Sequence, residues 1–233
     1  MINNFIVFPH VERTGGSTIH YWFYFLNQTG NHYIDTGGVK LKDLVVQHTE
    51  SQTAYLGGHF KLTDFEKSQF YKLSNSPYIF GIVRPTVERF VSMYRLWLRS
   101  PEWLGAVTKE DASSLMKFYL KIQKAHFSNN LCKAYSSRGD YDAVMEGIGR
   151  NLRFIGYTNR LDLVIERFRI DQPLIYPLIK SLENTKVNQG AFVSEDQIIA
   201  LGLDKNLIDL INADNAEDNL LIKHISENNY IIG

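Results

Sequence analysis

Two short groups of residues in this chain have the types and spacing to hold phosphate. The first, Arg13-Thr14-Gly15-Gly16-Ser17-Thr18, joins a cation, paired glycines and hydroxyl side chains. Glycines let a backbone bend sharply and approach a ligand, and the first N–H groups of a following helix point outward without partners. An anion suits such a turn, most simply a phosphate; a plain structural turn has the same composition. The second group is Arg84 with Ser92. A guanidinium offers forked donors to a phosphate monoester, and a hydroxyl from a neighbouring helix adds one more. The alternatives are a solvated strand end for Arg84 and an exposed helix position for Ser92. His59, beside Gly57-Gly58, has an imidazole whose ordinary pKa lies near neutrality, as a general base requires. A histidine beside glycines also serves as an ordinary hydrogen-bonding residue. Glu12 is the reserve base, although an ion pair with the adjacent Arg13 would weaken it. His10 and His20 come third, as structural more than catalytic residues.

These residues need strands and helices to present them. Phe5-Ile6-Val7-Phe8 has the length and β-branched content of a buried strand, and Ile19, Trp22, Phe23 and Leu26 recur at helical spacing after the glycines. The pattern is strand, turn, helix. Tyr78 to Val83 predicts a second strand. Arg84-Pro85 ends it, because a residue before proline is pushed to extended geometry and Pro85 suits the first turn of a helix. Val87, Phe90, Val91, Tyr94, Trp97 and Leu98 mark one face of that helix. Arg89 on it reads as a salt-bridging surface residue, its role open. Between these units, Gln28 to Gly38 reads as a loop, Val39 to Ser51 as helix or strand, and Tyr55 to Phe60 as a short apolar run. The rest is mainly helical: a start at Thr108-Lys109-Glu110-Asp111, a helix from Asp140 to Leu152, and a last helix through Leu220, Leu221, His224 and Ile225. Phe154 to Thr158 predicts a third short strand, and Ser194-Glu195-Asp196-Gln197 has capping-box form. Two phosphate turns, each after a strand and before a helix, predict an α/β fold: a P-loop-like parallel β-sheet flanked by helices, with a helix-rich C-terminal half and the ligand at the strand carboxyl ends.

Composition narrows the class. At 233 residues the chain suits one substantial core, so residues 1–233 are expected to form a single domain. Hydrophobic residues make up 44% and charged residues 21%, which fits a globular protein rather than a disordered or membrane chain. Formal net charge is zero, so an anion site must come from a local cluster of donors, and nucleic acid is not an expected partner. The single cysteine, Cys132, cannot form an internal disulfide; it reads as a small buried hydrophobe and favours a reducing compartment. No leader or membrane span is evident, so a cytoplasmic location is expected. No metal-ligand constellation appears, and quaternary structure is not legible.

The motifs also resemble a known family. The order Arg-Thr-Gly-Gly-Ser-Thr is similar to the 5′-phosphosulfate loop of sulfotransferases, whose carbohydrate-modifying branch often reads PKTGGTS; here Glu12 replaces the proline and Arg13 the lysine. A Walker loop instead needs lysine directly before Ser17, where this chain has Gly16. The segment from Ile82 to Tyr94 resembles the family's 3′-phosphate motif RDPxxRxxSxY, matching at Arg84, Pro85, Arg89, Ser92 and Tyr94. Gly58-His59-Phe60 resembles the Gly-His-Phe segment that lies between the two loops. Asn129 to Tyr135 resembles an Asn-led segment after the second loop. Phe154 to Asp162 resembles the signature fvGxtErld, with Asn159 for the acid. Glu183 to Asn188 is placed where relatives have a loop that closes over the nucleotide.

The resemblance implies transfer of a sulfuryl group from 3′-phosphoadenosine 5′-phosphosulfate to a hydroxyl, on a carbohydrate or another polyol, without a metal. Thr14, Gly15, Gly16, Ser17 and Thr18 would hold the 5′ end, and Arg84 with Ser92 the 3′-phosphate. Arg13 would stabilise the departing phosphate, and His59 would be the base, with Glu12 in reserve. Two other readings stand beside it: a catalytically idle nucleotide-binding module, and a P-loop-type kinase, against which the missing lysine and Arg84 in place of a magnesium-holding aspartate both argue.

Overall fold

The computed structural model describes residues 2, 4–24, 32–36, 39–44, 53–105, 107–182, 202–229 and 231–233. In chain order they form β1 (Asn4–Pro9), α1 (Gly16–Tyr24), β2 (His32–Asp35), β3 (Thr53–Gly58), α2 (Leu62–Glu66), β4 (Tyr78–Val83), α3 (Thr86–Arg99), α4 (Leu115–Ile122), α5 (Asn130–Tyr135), α6 (Tyr141–Gly147), β5 (Phe154–Tyr157), α7 (Leu161–Asp171), α8 (Tyr176–Ser181), α9 (Lys205–Asp214), α10 (Ala216–Glu227) and β6 (Ile231–Ile232).

The sheet order is β2-β3-β1-β4-β5-β6. All neighbours run parallel except the antiparallel pair β5 and β6. Chain order reverses on either side of β1: β3 lies to one side, in register from Asn4 opposite Thr53 to Pro9 opposite Gly58, and β4 to the other. A crevice opens at the carboxyl ends of strands where the order reverses, and ligands of open α/β sheets bind there. Both turns expected to hold phosphate, and His59, follow strands at that edge.

Side chains alternate between the two faces of the sheet. Phe5, Val7, Leu56, Ile79 and Ile155 share a core with Leu131, Cys132 and Tyr135 of α5 and Leu221 and Ile225 of α10. On the opposite face Ile6, Phe8, Phe80 and Phe154 meet Ile19, Trp22 and Phe23 of α1 and Val164, Ile165 and Phe168 of α7. With both faces covered, strands read as continuous apolar runs, which is why β1 and β4 were legible. A third core, in which no described strand residue takes part, packs α3, α4 and α9 through Phe90, Met93, Phe118, Tyr119, Leu207 and Ile211. Trp97 belongs to it.

Several expectations change. The segment read as a loop contains β2, whose neighbour in the sheet is β3 alone and whose Tyr33, Ile34 and Asp35 stay half-buried or exposed; such an edge strand needs no apolar run. Of the stretch read as helix or strand, Leu41–Asp43 forms a 3₁₀ turn, and residues 45–52 lie outside the described residues. Pro85 (φ −50, ψ 135) precedes α3 instead of entering it. Thr108 starts a turn, not a helix: its N–H and hydroxyl both donate to Asp111 Oδ2 at 2.8 Å, and α4 begins after Ser114, whose Oγ accepts from Lys117 N. The helix expected from Asp140 to Leu152 starts on that residue as a cap but ends at Gly147. The capping box at Ser194 and the loop Glu183 to Asn188 fall outside the described residues.

Candidate active site

The first turn leaves β1 still tied to β3, because His10 N donates to Gly58 O at 3.0 Å. Arg13 (φ 68) and Gly15 (φ 95) then adopt left-handed backbone conformations; glycine does so freely, whereas arginine does so at a cost. Thr14 is fully buried, its hydroxyl donating to Val11 O at 2.8 Å, so it pins the turn from inside. Thr18 N and Ile19 N both donate to Gly15 O, closing the first turn of α1. The amides of Gly16 and Ser17 at the head of the helix have no acceptor within it. Gly16 is required by packing as well as by bending: a Cβ there would lie 2.3 Å from His10 Nε2.

The second turn meets the first. Arg13 Nε donates to Ser92 Oγ at 2.9 Å, and Arg84 Nη1 approaches Arg13 O at 3.5 Å. Arg84 and Ser92 are both buried, which removes the solvated positions considered for them. The Arg13 side chain lies against the second motif, although the sequence reading aimed it at the 5′ end. Burial holds the Arg84 guanidinium below its ordinary pKa, Glu88 at 3.4 Å opposing this and Arg95 adding to it. Burial, then Arg84 and Arg99, do the same to Arg13. The arginines thus crowd one another with Glu88 as the carboxylate ion-paired there, an arrangement that a doubly charged phosphate would relieve.

His59 follows Gly58 at the end of β3 and is exposed. Its ring centroid lies 4.2 Å from that of His10, which stacks on Phe8 and stands 5.0 Å from His20. Burial, then the charges of His59 and His20, hold His10 well below its ordinary pKa, and its Nδ1 is buried without a partner. His20 is lowered by burial, against the pull of Asp35 at 3.8 Å, and its Nδ1 meets the Tyr55 hydroxyl at 3.1 Å. Glu12 pairs with His126 Nδ1 at 3.5 Å instead of with Arg13. Burial pushes its carboxyl up, but the contact with His126 and the His59 charge outweigh burial and hold it below the usual range.

Arg89 is not on the surface. It is fully buried, donates from Nη2 to His126 O at 2.8 Å, lies 4.4 Å from the Phe127 ring centre, and faces Asp218 at 4.0 Å. Asp218 in turn accepts from Leu131 N and Cys132 N at the head of α5. Burial raises the Asp218 carboxyl against the pull of Arg89. This motif arginine therefore joins α3, the π-turn Gln123–Phe127, α5 and α10. Cys132 is buried and its thiol pushed up by burial, which makes it inert.

Thr158, not singled out in the sequence beyond its strand, sends its hydroxyl to Val83 O at 2.8 Å and Thr14 O at 3.0 Å. A hydroxyl directly after a strand at the ligand edge was the available signal. His126 and Asp218 carried none. Among the described residues no group of side chains is arranged to hold a metal ion, and no helix is long and apolar enough to cross a membrane.

No protein-family profile matches the chain, and neither does any curated protein. Among solved structures it is similar to mouse sulfotransferase SULT7A1 complexed with PAP, with a TM-score of 0.51 and 14% sequence identity, over 97% of this chain and 84% of that one. At that identity the likeness is one of architecture, and the chain has the P-loop-like α/β fold of a sulfotransferase structure.

Proposed function

We propose that this protein is a sulfotransferase that moves a sulfuryl group from 3′-phosphoadenosine 5′-phosphosulfate to a hydroxyl of a carbohydrate or another polyol. The observation that carries the proposal is the meeting of the two turns through Arg13 Nε and Ser92 Oγ at 2.9 Å, where clustered guanidinium groups stand beside a glycine-led helix terminus. The fold shared with a PAP-bound sulfotransferase supports it. Residues 1–233 are taken as a single sulfotransferase domain, and the lone buried cysteine supports a reducing, cytoplasmic setting.

In this reading Thr14 to Thr18 hold the 5′ end of the donor, and Arg84 with Ser92 the 3′-phosphate. The acceptor oxygen attacks sulfur as the bond from sulfur to the bridging oxygen breaks. His59 takes the acceptor's proton, and negative charge grows on the departing phosphate. Amides at the head of α1 stabilise that charge, more in the transition state than in the ground state, and the Arg13 guanidinium adds to this once its side chain leaves Ser92 for the 5′ end. No metal is required by this scheme.

A second reading, a nucleotide-binding module without turnover, is favoured by the Arg13 side chain bonding Ser92. The test uses donor carrying labelled sulfate with a panel of sugar and polyol acceptors. Labelled product supports transfer. Binding of adenosine 3′,5′-bisphosphate with no product on any acceptor supports the module. Phosphorylated product from ATP and Mg²⁺ would overturn both.

A further inference from the structure

The two turns belong to different strands, and a nucleotide held at both ends needs them at a fixed separation. β4 lies between β1, which leads to the glycine turn, and β5. Thr158 follows β5 directly, and its side chain reaches back across the end of β4. Its Oγ1 lies 2.8 Å from Val83 O, the carbonyl just before Arg84, and 3.0 Å from Thr14 O, the carbonyl just before Gly15. A threonine hydroxyl carries one proton, so it shares that proton between the two carbonyls or donates to each in turn. Its methyl group also bears on the glycine turn: a Cβ on Gly15 would stand 3.5 Å from Thr158 Cγ2. The contact spans 144 residues of sequence and touches both turns through backbone atoms alone.

We propose that Thr158 is a positioning residue that sets the distance between the two phosphate subsites, so that anchoring one end of the donor prepares the turn that receives the other. This rests on the nucleotide reading above. Thr158 need not touch the ligand. Holding both turns before binding reduces the ordering that binding must otherwise impose.

The consequence is a coupling between the two ends of the ligand. Adenosine 3′,5′-bisphosphate uses both turns, whereas adenosine 5′-phosphate uses only the first. Their affinity ratio measures how well the second phosphate is delivered once the first is seated. Calorimetry on the full chain is expected to show that Thr158→Val, equal in shape but without the donor, narrows this ratio about tenfold. Thr158→Ser is expected to restore it. A merely structural role would weaken both ligands alike and leave the ratio unchanged, which would overturn the proposal. A wild-type protein that does not prefer the bisphosphate at all would overturn the nucleotide reading and the proposal together.

Should Thr158→Val fail to fold, the wild-type protein still decides. Adenosine 3′-phosphate, which fills only the Arg84 subsite, is expected to slow amide hydrogen exchange at Thr14 to Thr18. Unchanged exchange there with the ligand bound would overturn the coupling.

Discussion

Replacing Arg84 separates affinity from stability. In the ligand-free protein its guanidinium is buried beside Arg13 and feels the charge of Arg95, with Glu88 at 3.4 Å as its carboxylate neighbour. Arg84→Met keeps most of the apolar stem and removes the charge. Two effects then oppose each other in the free protein. Losing the largely buried pair with Glu88 costs about 1.5–3 kcal/mol, and losing repulsion among the arginines offsets part of this, so stability should fall by less than about 3 kcal/mol. The bound state has no such compensation. A hydrogen bond to a charged group contributes about 1.5–3 kcal/mol, which corresponds to a loss of roughly 10- to 150-fold in affinity for adenosine 3′,5′-bisphosphate. Adenosine 5′-phosphate, which lacks the group that Arg84 would hold, should bind nearly as before. Calorimetry with both nucleotides and a thermal melt of the free variant are sufficient. Equal losses for the two nucleotides, or none for either, would refute the assignment of Arg84 to the 3′-phosphate.

Other outcomes follow from the same geometry. His59→Ala should lower kcat by roughly 100-fold or more with little change in nucleotide affinity; normal turnover would pass the base to Glu12 or another group. Asp218→Ala leaves the buried Arg89 guanidinium without its counter-charge and two amides of α5 without acceptors, so a loss of about 3–5 kcal/mol is expected in urea unfolding. A loss below about 1 kcal/mol would remove Asp218 from the network that joins α3, α5 and α10. His10 and His20 have depressed folded-state pKa values, so below about pH 6.5 the unfolded chain binds protons that the native state refuses. Stability should therefore be full above that pH and fall as pH drops through it toward the folded values, by up to about 1.4 kcal/mol per pH unit for each histidine. Unfolding midpoints that match at pH 7.5 and pH 5.5, or a difference that survives unchanged in His10→Gln, would refute this.

The sequence by itself determined the strands buried on both faces and the turns that follow them. β1 and β4 read as apolar runs because their residues face packed helices on either side of the sheet, and Arg13 to Thr18 and Arg84 to Ser92 sit in the next few residues. Local chemistry was enough there: glycines, a proline and a helical period all act within one turn of chain. β2 was not legible because an edge strand is held by hydrogen bonds to β3 and needs no apolar signature. The roles of Arg89, Glu12 and Thr158 belong to the tertiary structure. Arg89 stands in a motif read as a phosphate site, yet its charge is answered by Asp218, far along the chain in α10. Glu12 turns from its neighbour Arg13 to His126, and Arg13 turns to Ser92. A charged side chain takes its partner from whatever the fold brings within a few ångströms, and where separate elements meet that partner comes from a distant part of the chain.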